Sequence, residues 1–178
     1  MANVRIASPA DAQFLAGMLA LAVDWRPAAP HRPVEDVLDD PALKRYVSGW
    51  PRSGDAGVVA EDEVGETLGA AWYRYFSSTS PGYGFVLPTV PEVAIAVVPH
   101  ARGTGIGGLL LGTLIDLARA RGVAGLSLSV ERENPARRLY DRFGFAPVGA
   151  NEGDGGSVTL LLDLDPAGER PSGGPDWT

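Results

Sequence analysis

The sequence of 178 residues contains no cysteine and only two histidines, His31 and His100. The absence of cysteine excludes disulfides, thiolate nucleophiles and cysteine-based metal sites. The two histidines stand far apart and outside any spacing typical of metal ligands, so we expect no metal. Because a chain without disulfides fits a reducing compartment, we expect a cytoplasmic protein.

Basic charge and long apolar runs are also scarce. The formal net charge is −7 at pH 7, whereas a nucleic-acid binder usually presents a basic surface to the phosphates. The best apolar stretch, Gly107–Ala118, is interrupted by Asp116 and is too short to cross a bilayer. The N-terminus lacks the apolar segment of a signal peptide. We therefore expect neither a nucleic acid nor a membrane as a partner.

The hydrophobic pattern of the first half predicts a strand, two helices and a strand pair. A strand at Val4–Ala7 leads into a helix that Ser8 caps, and Asp40-Pro41 begins a second helix that ends near Gly49. Between these helices, the proline-rich stretch Trp25–Asp39 is predicted to be a loop. Two further strands follow, at Gly57–Glu61 and Thr67–Phe76.

The second half alternates strands with helices. The predicted strands are Glu92–Val98, Leu126–Val130, Phe145–Val148 and Val158–Leu164, and the predicted helices are Gly105–Arg121 and a short one opened by Asn134-Pro135. This order predicts an α+β fold in which helices cover both faces of a mixed sheet. We expect one domain over residues 1–165 and a C-terminal tail over residues 166–178.

The most informative segment is the glycine-rich turn Arg102–Gly108, between a predicted strand and the longest predicted helix. Unpaired N–H groups in the first turn of a helix point outward, and the helix dipole favours negative charge there. Glycine lets the backbone approach phosphate oxygens because it has no Cβ. Arg102 adds a positive charge at the rim. A glycine-rich turn can also be ordinary loop structure, but the strand–loop–helix context favours an anion site.

The same turn also satisfies the pattern G-x-G-x-x-G of dinucleotide-binding folds, and Glu131 stands near the position of their ribose-binding acid. This alternative would make the protein a nicotinamide-dependent oxidoreductase. We disfavour it because Pro99–Arg102 separates the strand from the first glycine, where the dinucleotide fold has a tight turn. The first half also shows no alternation of strands and helices.

Two segments resemble conserved blocks of the GCN5-related N-acetyltransferase (GNAT) family. Arg102–Gly107 is similar to the family signature (Q/R)-x-x-G-x-(G/A). Asn134–Phe145 resembles its second block through Asn134, Tyr140 and the pair Gly144-Phe145. The resemblance covers about Glu92–Val148. It implies an α/β/α sandwich with a twisted, mostly antiparallel sheet of the acyl-CoA N-acyltransferase type.

The resemblance also implies acetyl-CoA as the acyl donor and assigns residues to it. In that family, main-chain amides of the loop bind the pyrophosphate, and the strand before the loop pairs with the pantetheine arm through its backbone. The implied cofactor-binding residues here are Val97, Val98, Arg102, Gly103, Thr104, Gly105, Ile106, Gly107, Gly108 and Asn134. For Asn134 a purely structural role as a helix cap is an equal alternative.

By the same resemblance, Tyr140 is the candidate general acid and Glu92 the candidate base. A phenol near the sulfur could protonate the leaving thiolate. An alkyl amine with a pKa of about 10.4 is mostly protonated at neutral pH, so a base is needed. The alternatives are a Tyr140 ring packed on a helix face and a solvated Glu92 at a strand end. Without cysteine or a visible catalytic triad, we expect direct attack by a primary amine in a ternary complex.

The acceptor is expected to be a small-molecule or peptide amine. Its pocket is predicted to involve Asp24, Trp25, Trp72 and Tyr83, although each of these could equally cover the core. Two acidic residues, Asp24 and Glu92, would suit a cationic amine. The sequence leaves open a non-catalytic acyl-CoA-binding or sensing module of the same fold, and a homodimer.

Overall fold

The computed structural model describes residues 2–26, 32–148 and 156–165, so the predicted tail at residues 166–178 lies outside the described part. The described strands are β1 (Asn3–Ile6), β2 (Ala56–Glu61), β3 (Thr67–Arg74), β4 (Glu92–Val97), β5 (Gly125–Glu131), β6 (Ala146–Pro147) and β7 (Ser157–Asp163). The described α-helices are α1 (Ala12–Val23), α2 (Val34–Asp39), α3 (Pro41–Lys44), α4 (Ile106–Ala120) and α5 (Arg137–Arg142). Short 3-10 turns at Pro9–Asp11 and Pro99–Ala101 precede α1 and the glycine-rich loop.

The strands form one sheet in the order β1-β2-β3-β4-β5-β7-β6. Every neighbouring pair is antiparallel except β4 and β5, which are parallel. This confirms the prediction of a mixed, mostly antiparallel sheet. The parallel pair is joined at a single register position, Glu92 opposite Ser127. Beyond that position the two strands separate, and this separation creates the cleft described below.

Two hydrophobic cores cover the two faces of the sheet, as the prediction of helices on both faces required. On one face α4 packs on β2, β3 and β4 and buries Leu110, Leu111 and Leu114. On the other face α1 packs on β4 and β3. Buried side chains of α1, α2 and the segment after α3 form a second core there with residues of β2 and β3. Full burial of each such aliphatic side chain contributes roughly 1.5–3 kcal/mol.

The predicted cap before α1 is present as a reciprocal capping box. The Ser8 hydroxyl accepts from the Ala10 amide at 3.2 Å, and the Asp11 carboxylate accepts from the Ser8 amide at 2.6 Å. Arg5 donates to Asp11 at 2.8 Å, and this hydrogen bond lowers the pKa of Asp11 to about 2. The start of α1 is therefore fixed by local chemistry that is legible in the sequence.

The prediction of a loop throughout Trp25–Asp39 is wrong at its end, because Val34–Asp39 forms α2. Val37 on this helix is fully buried, and the helix packs against α1. Two acidic residues, Glu35 and Asp36, lie in its first turn, where the helix dipole favours them. A helix this short depends on tertiary packing for its stability, and the proline-rich composition hid that packing.

The second predicted helix is shorter than expected. It ends at Lys44, and the chain continues as turns through Gly49. Tyr46, Val47 and Trp50 follow the end of this helix and are nevertheless buried. Within the described ranges, no helix combines the length and apolar character that crossing a bilayer would require.

Candidate active site

The divergence of β4 from β5 opens a cleft of about 850 Å³. Its walls are Val93–Val97 of β4 and Leu128–Glu131 of β5, and the beginnings of α4 and α5 contribute at one end. The volume falls in the range of about 300–1,000 Å³ typical of small-molecule sites. The cleft thus occupies the gap that an extended ligand would fill beside a strand edge.

The main chain of β4 directs hydrogen-bonding groups into this cleft at alternate residues. The Val98 amide donates to the Leu68 carbonyl at 2.9 Å, towards β3, and the Val98 carbonyl accepts from Ala101 at 3.0 Å. Because neighbouring residues of a strand direct these groups to opposite edges, the N–H and C=O of Val97 and Ile95 point towards β5. Of the two predicted residues, Val97 therefore offers its backbone to the cleft and Val98 does not. Ile95, which was not predicted, does so as well.

The glycine-rich loop forms the open end of the cleft. The Arg102 amide donates to the Pro99 carbonyl at 3.3 Å, and the first bond of α4 runs from Leu109 to Gly105 at 3.1 Å. Between them, the six amides of residues 103–108 donate to no group in the described part of the chain. Gly103 and Gly105 have φ angles of 77° and 92°, a region that favours glycine. Six unpaired donors at the start of a helix are suited to bind an anion.

The Arg102 side chain reaches back over the cleft. Its Nε donates to the Val97 carbonyl at 3.1 Å, and its Nη1 donates to the Trp25 carbonyl at 3.5 Å. The predicted positive charge therefore lies above the β4 edge, between that strand and the end of α1. The Thr104 side chain stabilises the loop itself, because its hydroxyl donates to the Ala101 carbonyl at 2.7 Å.

Glu92 lies at the narrow end of the cleft, with 3% of its surface exposed. Its Oε1 accepts from the Tyr46 hydroxyl at 2.6 Å and from the Gly84 amide at 2.9 Å. Its Oε2 is buried and has no hydrogen-bond partner among the described residues. Burial raises the pKa of Glu92 to about 7, and the two hydrogen bonds only partly offset this effect.

The nearest buried cation does not compensate Glu92. Arg74 is its register partner on β3, but the Arg74 guanidinium contacts Asp55, with Nη2 2.5 Å from Oδ2. The remaining Arg74 donor, Nη1, binds the carbonyls of Arg45 and Ser48, each at 2.8 Å. Among residues 2–26, 32–148 and 156–165, Glu92 consequently has no ion-pair partner. A buried carboxyl group of this kind can act as a base near neutral pH.

Tyr140 lines the opposite side of the cleft from α5. It is 7% exposed, and its ring contacts Phe145 edge to face with centroids 5.9 Å apart. Its hydroxyl forms no hydrogen bond with any residue that the structure describes, and burial raises the pKa of Tyr140 to about 12. Asn134 also lines the cleft, while its Oδ1 accepts from the Ala136 amide at 2.9 Å. Asn134 therefore caps the turn before α5 and borders the cleft at the same time.

The four residues predicted for the acceptor pocket divide into two pairs. Trp25 and Tyr83 line the cleft. Trp72 is fully buried in the core and donates through Nε1 to the Tyr46 carbonyl at 3.0 Å, so it does not reach the cleft. Asp24 forms an ion pair with Arg32 at 3.2 Å and does not line the cleft either. The expected pairing of Asp24 with Glu92 around a cationic amine is therefore not present in this structure.

Sequence reasoning missed Tyr46, which contacts Glu92 directly. Tyr46 lies within the stretch predicted as the second helix, between Asp40 and Gly49. Tyr46 and Glu92 are 46 positions apart, and no motif connects them. The available signal was that a tyrosine buried in a core requires a partner for its hydroxyl.

Comparisons with known proteins identify the family of this chain. The model of the acetyltransferase (GNAT) family matches residues 15–145. An L-methionine sulfoximine/L-methionine sulfone acetyltransferase of Pseudomonas paraeruginosa is 32% identical over 178 residues, which cover 96% of this chain and 99% of the relative. A mycothiol acetyltransferase of Beutenbergia cavernae is 37% identical over 92 residues, which cover 51% of this chain and only 28% of the relative's length.

A solved structure shares the fold. The Salmonella typhimurium acetyltransferase yncA, determined with its cofactor acetyl-CoA, superimposes with a TM-score of 0.65 at 24% identity, covering 97% of this chain and 99% of the other. The fold class and the resemblance are thus confirmed. The family match includes both the glycine-rich loop and the block around Tyr140. The chain therefore belongs to the acetyltransferase (GNAT) family.

Proposed function

We propose that this protein transfers the acetyl group of acetyl-CoA to a primary amine by direct attack in a ternary complex. The observation that carries the proposal is a single cleft with unpaired loop amides at one end and the buried Glu92 carboxyl group at the other. Such a cleft can hold a diphosphate and bring an extended thioester arm towards a base.

In the proposed donor complex, the amides of residues 103–108 bind the diphosphate. The pantetheine arm lies along β4 and pairs with the exposed backbone groups of Ile95 and Val97, as an added strand would. The contact between Arg102 and the Val97 carbonyl is exchanged for one with the arm. A β4 N–H group then polarises the thioester carbonyl, and Asn134 borders the arm.

In the proposed chemical step, Glu92 accepts a proton from the ammonium group of the acceptor, directly or through one water molecule. The free amine attacks the thioester carbonyl and forms a C–N bond. The tetrahedral intermediate then collapses, the C–S bond breaks, and Tyr140 protonates the leaving thiolate. The nitrogen loses its second proton as the amide forms, and this proton restores the Tyr140 phenol through water, while the first proton leaves Glu92 to solvent. A phenol whose pKa is raised to about 12 stays protonated until the thiolate forms. The products are an acetylated amine and free CoA.

The acceptor is proposed to be a small amine. The support is a full-length relative named for L-methionine sulfoximine and L-methionine sulfone, which suggests that free amino acids and their analogues should be tested first. Trp25 and Tyr83 line the cleft and provide aromatic surfaces against which a short side chain could pack.

The test is a thiol-release assay with acetyl-CoA across amines of different classes: methionine sulfoximine and sulfone, other amino acids, polyamines, aminoglycosides and peptides. The expected result is thiol release that depends on one class of amine, together with an acetylated product detected by mass spectrometry. Calorimetric binding of acetyl-CoA without thiol release from any amine would instead support a non-catalytic acyl-CoA sensor. Binding of NAD(P)H in place of acetyl-CoA would support the oxidoreductase alternative.

A further inference from the structure

The hydroxyl group of Tyr46 lies between the candidate base and the loop that covers it. It donates to Glu92 Oε1 at 2.6 Å and accepts from the Tyr83 amide at 2.7 Å. Burial raises the pKa of Tyr46 far above its ordinary value, so the hydroxyl remains protonated and is the donor in the bond to Glu92. The Tyr46 side chain thus joins the carboxyl group to the main chain of the covering loop.

The backbone around Tyr46 is itself fixed by two buried residues of β3. Trp72 donates to the Tyr46 carbonyl at 3.0 Å, and Arg74 donates to the carbonyls of Arg45 and Ser48 at 2.8 Å each. The Tyr46 ring also contacts Phe76 edge to face, with centroids 5.0 Å apart. The segment at residues 45–48 is no longer helical, yet these hydrogen bonds from the sheet hold it in place.

The covering loop approaches Glu92 too closely for any side chain to intervene. A Cβ added at Gly82 would stand 2.1 Å from Glu92 Oε2, and one added at Gly84 would stand 2.4 Å from the backbone of Leu128. The Gly84 amide supplies the second hydrogen bond to Oε1. The Gly84 amide of the segment at residues 82–84 therefore binds the carboxyl group directly. Tyr46 binds the carboxyl group and is itself bound by the Tyr83 amide of the same segment.

We propose that Tyr46 is the positioning residue of this active site: it fixes the orientation of the Glu92 carboxyl group and stabilises its ionised form. This inference rests on the proposed role of Glu92 as the base. Tyr46 does not touch the reacting atoms. It acts through Glu92, while Trp72 and Arg74 hold the segment that carries it.

Burial has the largest effect on the protonation of Glu92, and among the groups that face Glu92, Tyr46 opposes it most strongly. From β3, Arg74 directs its charge to Asp55. From β5, Ser127 is uncharged, and its buried hydroxyl has no partner in the described chain. The covering loop contributes the Gly84 amide and Tyr83, and the segment after α3 contributes Tyr46. Since a hydrogen bond to the charged form favours that form, loss of the Tyr46 hydroxyl should raise the pKa of Glu92 further.

The experiment compares Tyr46→Phe with Tyr75→Phe by ¹³C NMR of protein labelled at the glutamate carboxyl carbons. Tyr75 is the control because its pKa is raised by burial alone and it does not line the cleft. The Glu92 signal is assigned by its loss in Glu92→Gln. We expect its titration midpoint to rise by about one to two pH units in Tyr46→Phe and to stay unchanged in Tyr75→Phe.

The same variants are then assayed for the pH dependence of kcat/KM, and the acidic limb should move with the NMR midpoint. An unchanged NMR midpoint in folded Tyr46→Phe, established by its circular dichroism spectrum, would overturn the inference. A raised midpoint with an unmoved acidic limb would overturn the assignment of Glu92 as the base instead. Because the NMR titration requires no turnover, failure of the inference is distinguishable from failure of the proposed function.

Discussion

Two buried carboxyl groups, those of Asp55 and Glu92, neighbour the same arginine, Arg74, and have opposite surroundings. Asp55 accepts from Arg74 through both oxygens and from the Arg52 amide at 2.7 Å, and the side chains of Arg74 and Asp55 are at most 2% exposed. Glu92 is opposite the same arginine in the sheet but receives no cation, and one of its oxygens has no partner among the described residues. Asp55 therefore carries a charge that stabilises the fold, whereas Glu92 can exchange a proton.

The largest effect should follow from breaking the compensated pair. Arg74→Met leaves Asp55 buried without its cation, and removing one partner of a buried pair costs about 3–5 kcal/mol. We expect the free energy of unfolding, measured in urea, to fall by this amount. The control is Arg119→Met, because Arg119 forms an exposed pair with Asp116, and its loss should cost less than about 1 kcal/mol. Equal losses in the two variants would contradict the comparison.

Glu92, which has no ion-pair partner among the described residues, should make the free energy of unfolding depend on pH. Between its ordinary pKa of 4.5 and its raised pKa of about 7, Glu92 binds more protons in the folded than in the unfolded protein. Its contribution to stability therefore falls as the pH rises through this window, by about 3 kcal/mol in total. Glu92→Gln should abolish this decrease when urea unfolding is compared at pH 5 and pH 8. A stability difference between variant and wild type that is constant across these pH values would contradict the raised pKa.

A second group without a described partner is the Tyr140 hydroxyl. If it protonates the leaving thiolate, Tyr140→Phe should lower kcat by about 100-fold, since general acid catalysis contributes about that much or more. The Kd of acetyl-CoA, measured by calorimetry, should change by less than a factor of about three, because the phenyl ring still packs on Phe145. An unchanged kcat at saturating substrates would remove Tyr140 from the chemical step.

The smallest of these effects concerns two glycines with similar backbone angles. Gly105 lies in the loop with a φ of 92°, and Gly65 lies in the turn between β2 and β3 with a φ of 85°. Alanine strains both positions by about 1 kcal/mol, but only Gly105 belongs to the proposed diphosphate site. We expect Gly105→Ala to weaken acetyl-CoA binding about tenfold, because the amides must move to relieve the strain. Gly65→Ala should bind acetyl-CoA as the wild type does. Equal weakening of acetyl-CoA binding in both variants would argue against the glycine-rich loop as the diphosphate site.

The sequence was most informative where local chemistry decides the structure. Glycines that require positive φ angles marked the loop at residues 102–108, and Ser8 marked the start of α1. The order of strands and helices was sufficient to predict the sheet class. At these positions, residues close together in the chain determine the conformation, so a pattern in the sequence suffices.

Tertiary contacts decided what the sequence did not reveal. The sequence predicts both Trp72 and Tyr83 as pocket residues. Trp72 is buried in the core, whereas Tyr83 is 60% exposed at the cleft. The alternation of side chains along β3 does not by itself predict which face of that strand packs against the helices. Tyr46 and Glu92 meet only because β3 holds the segment after α3 in place. Such a pairing depends on the packing of three elements.

The most direct test of the account is the pH dependence of kcat/KM for the wild type and for Glu92→Gln, with the acceptor identified by thiol release. The account predicts an acidic limb with a midpoint near pH 7 in the wild type, because Glu92 must lose its proton before it can accept another. In Glu92→Gln this limb should disappear, and the rate at pH 8 should fall by about 100-fold or more. A variant that keeps both the limb and a rate within a few-fold of the wild type would contradict the assignment of Glu92 as the base.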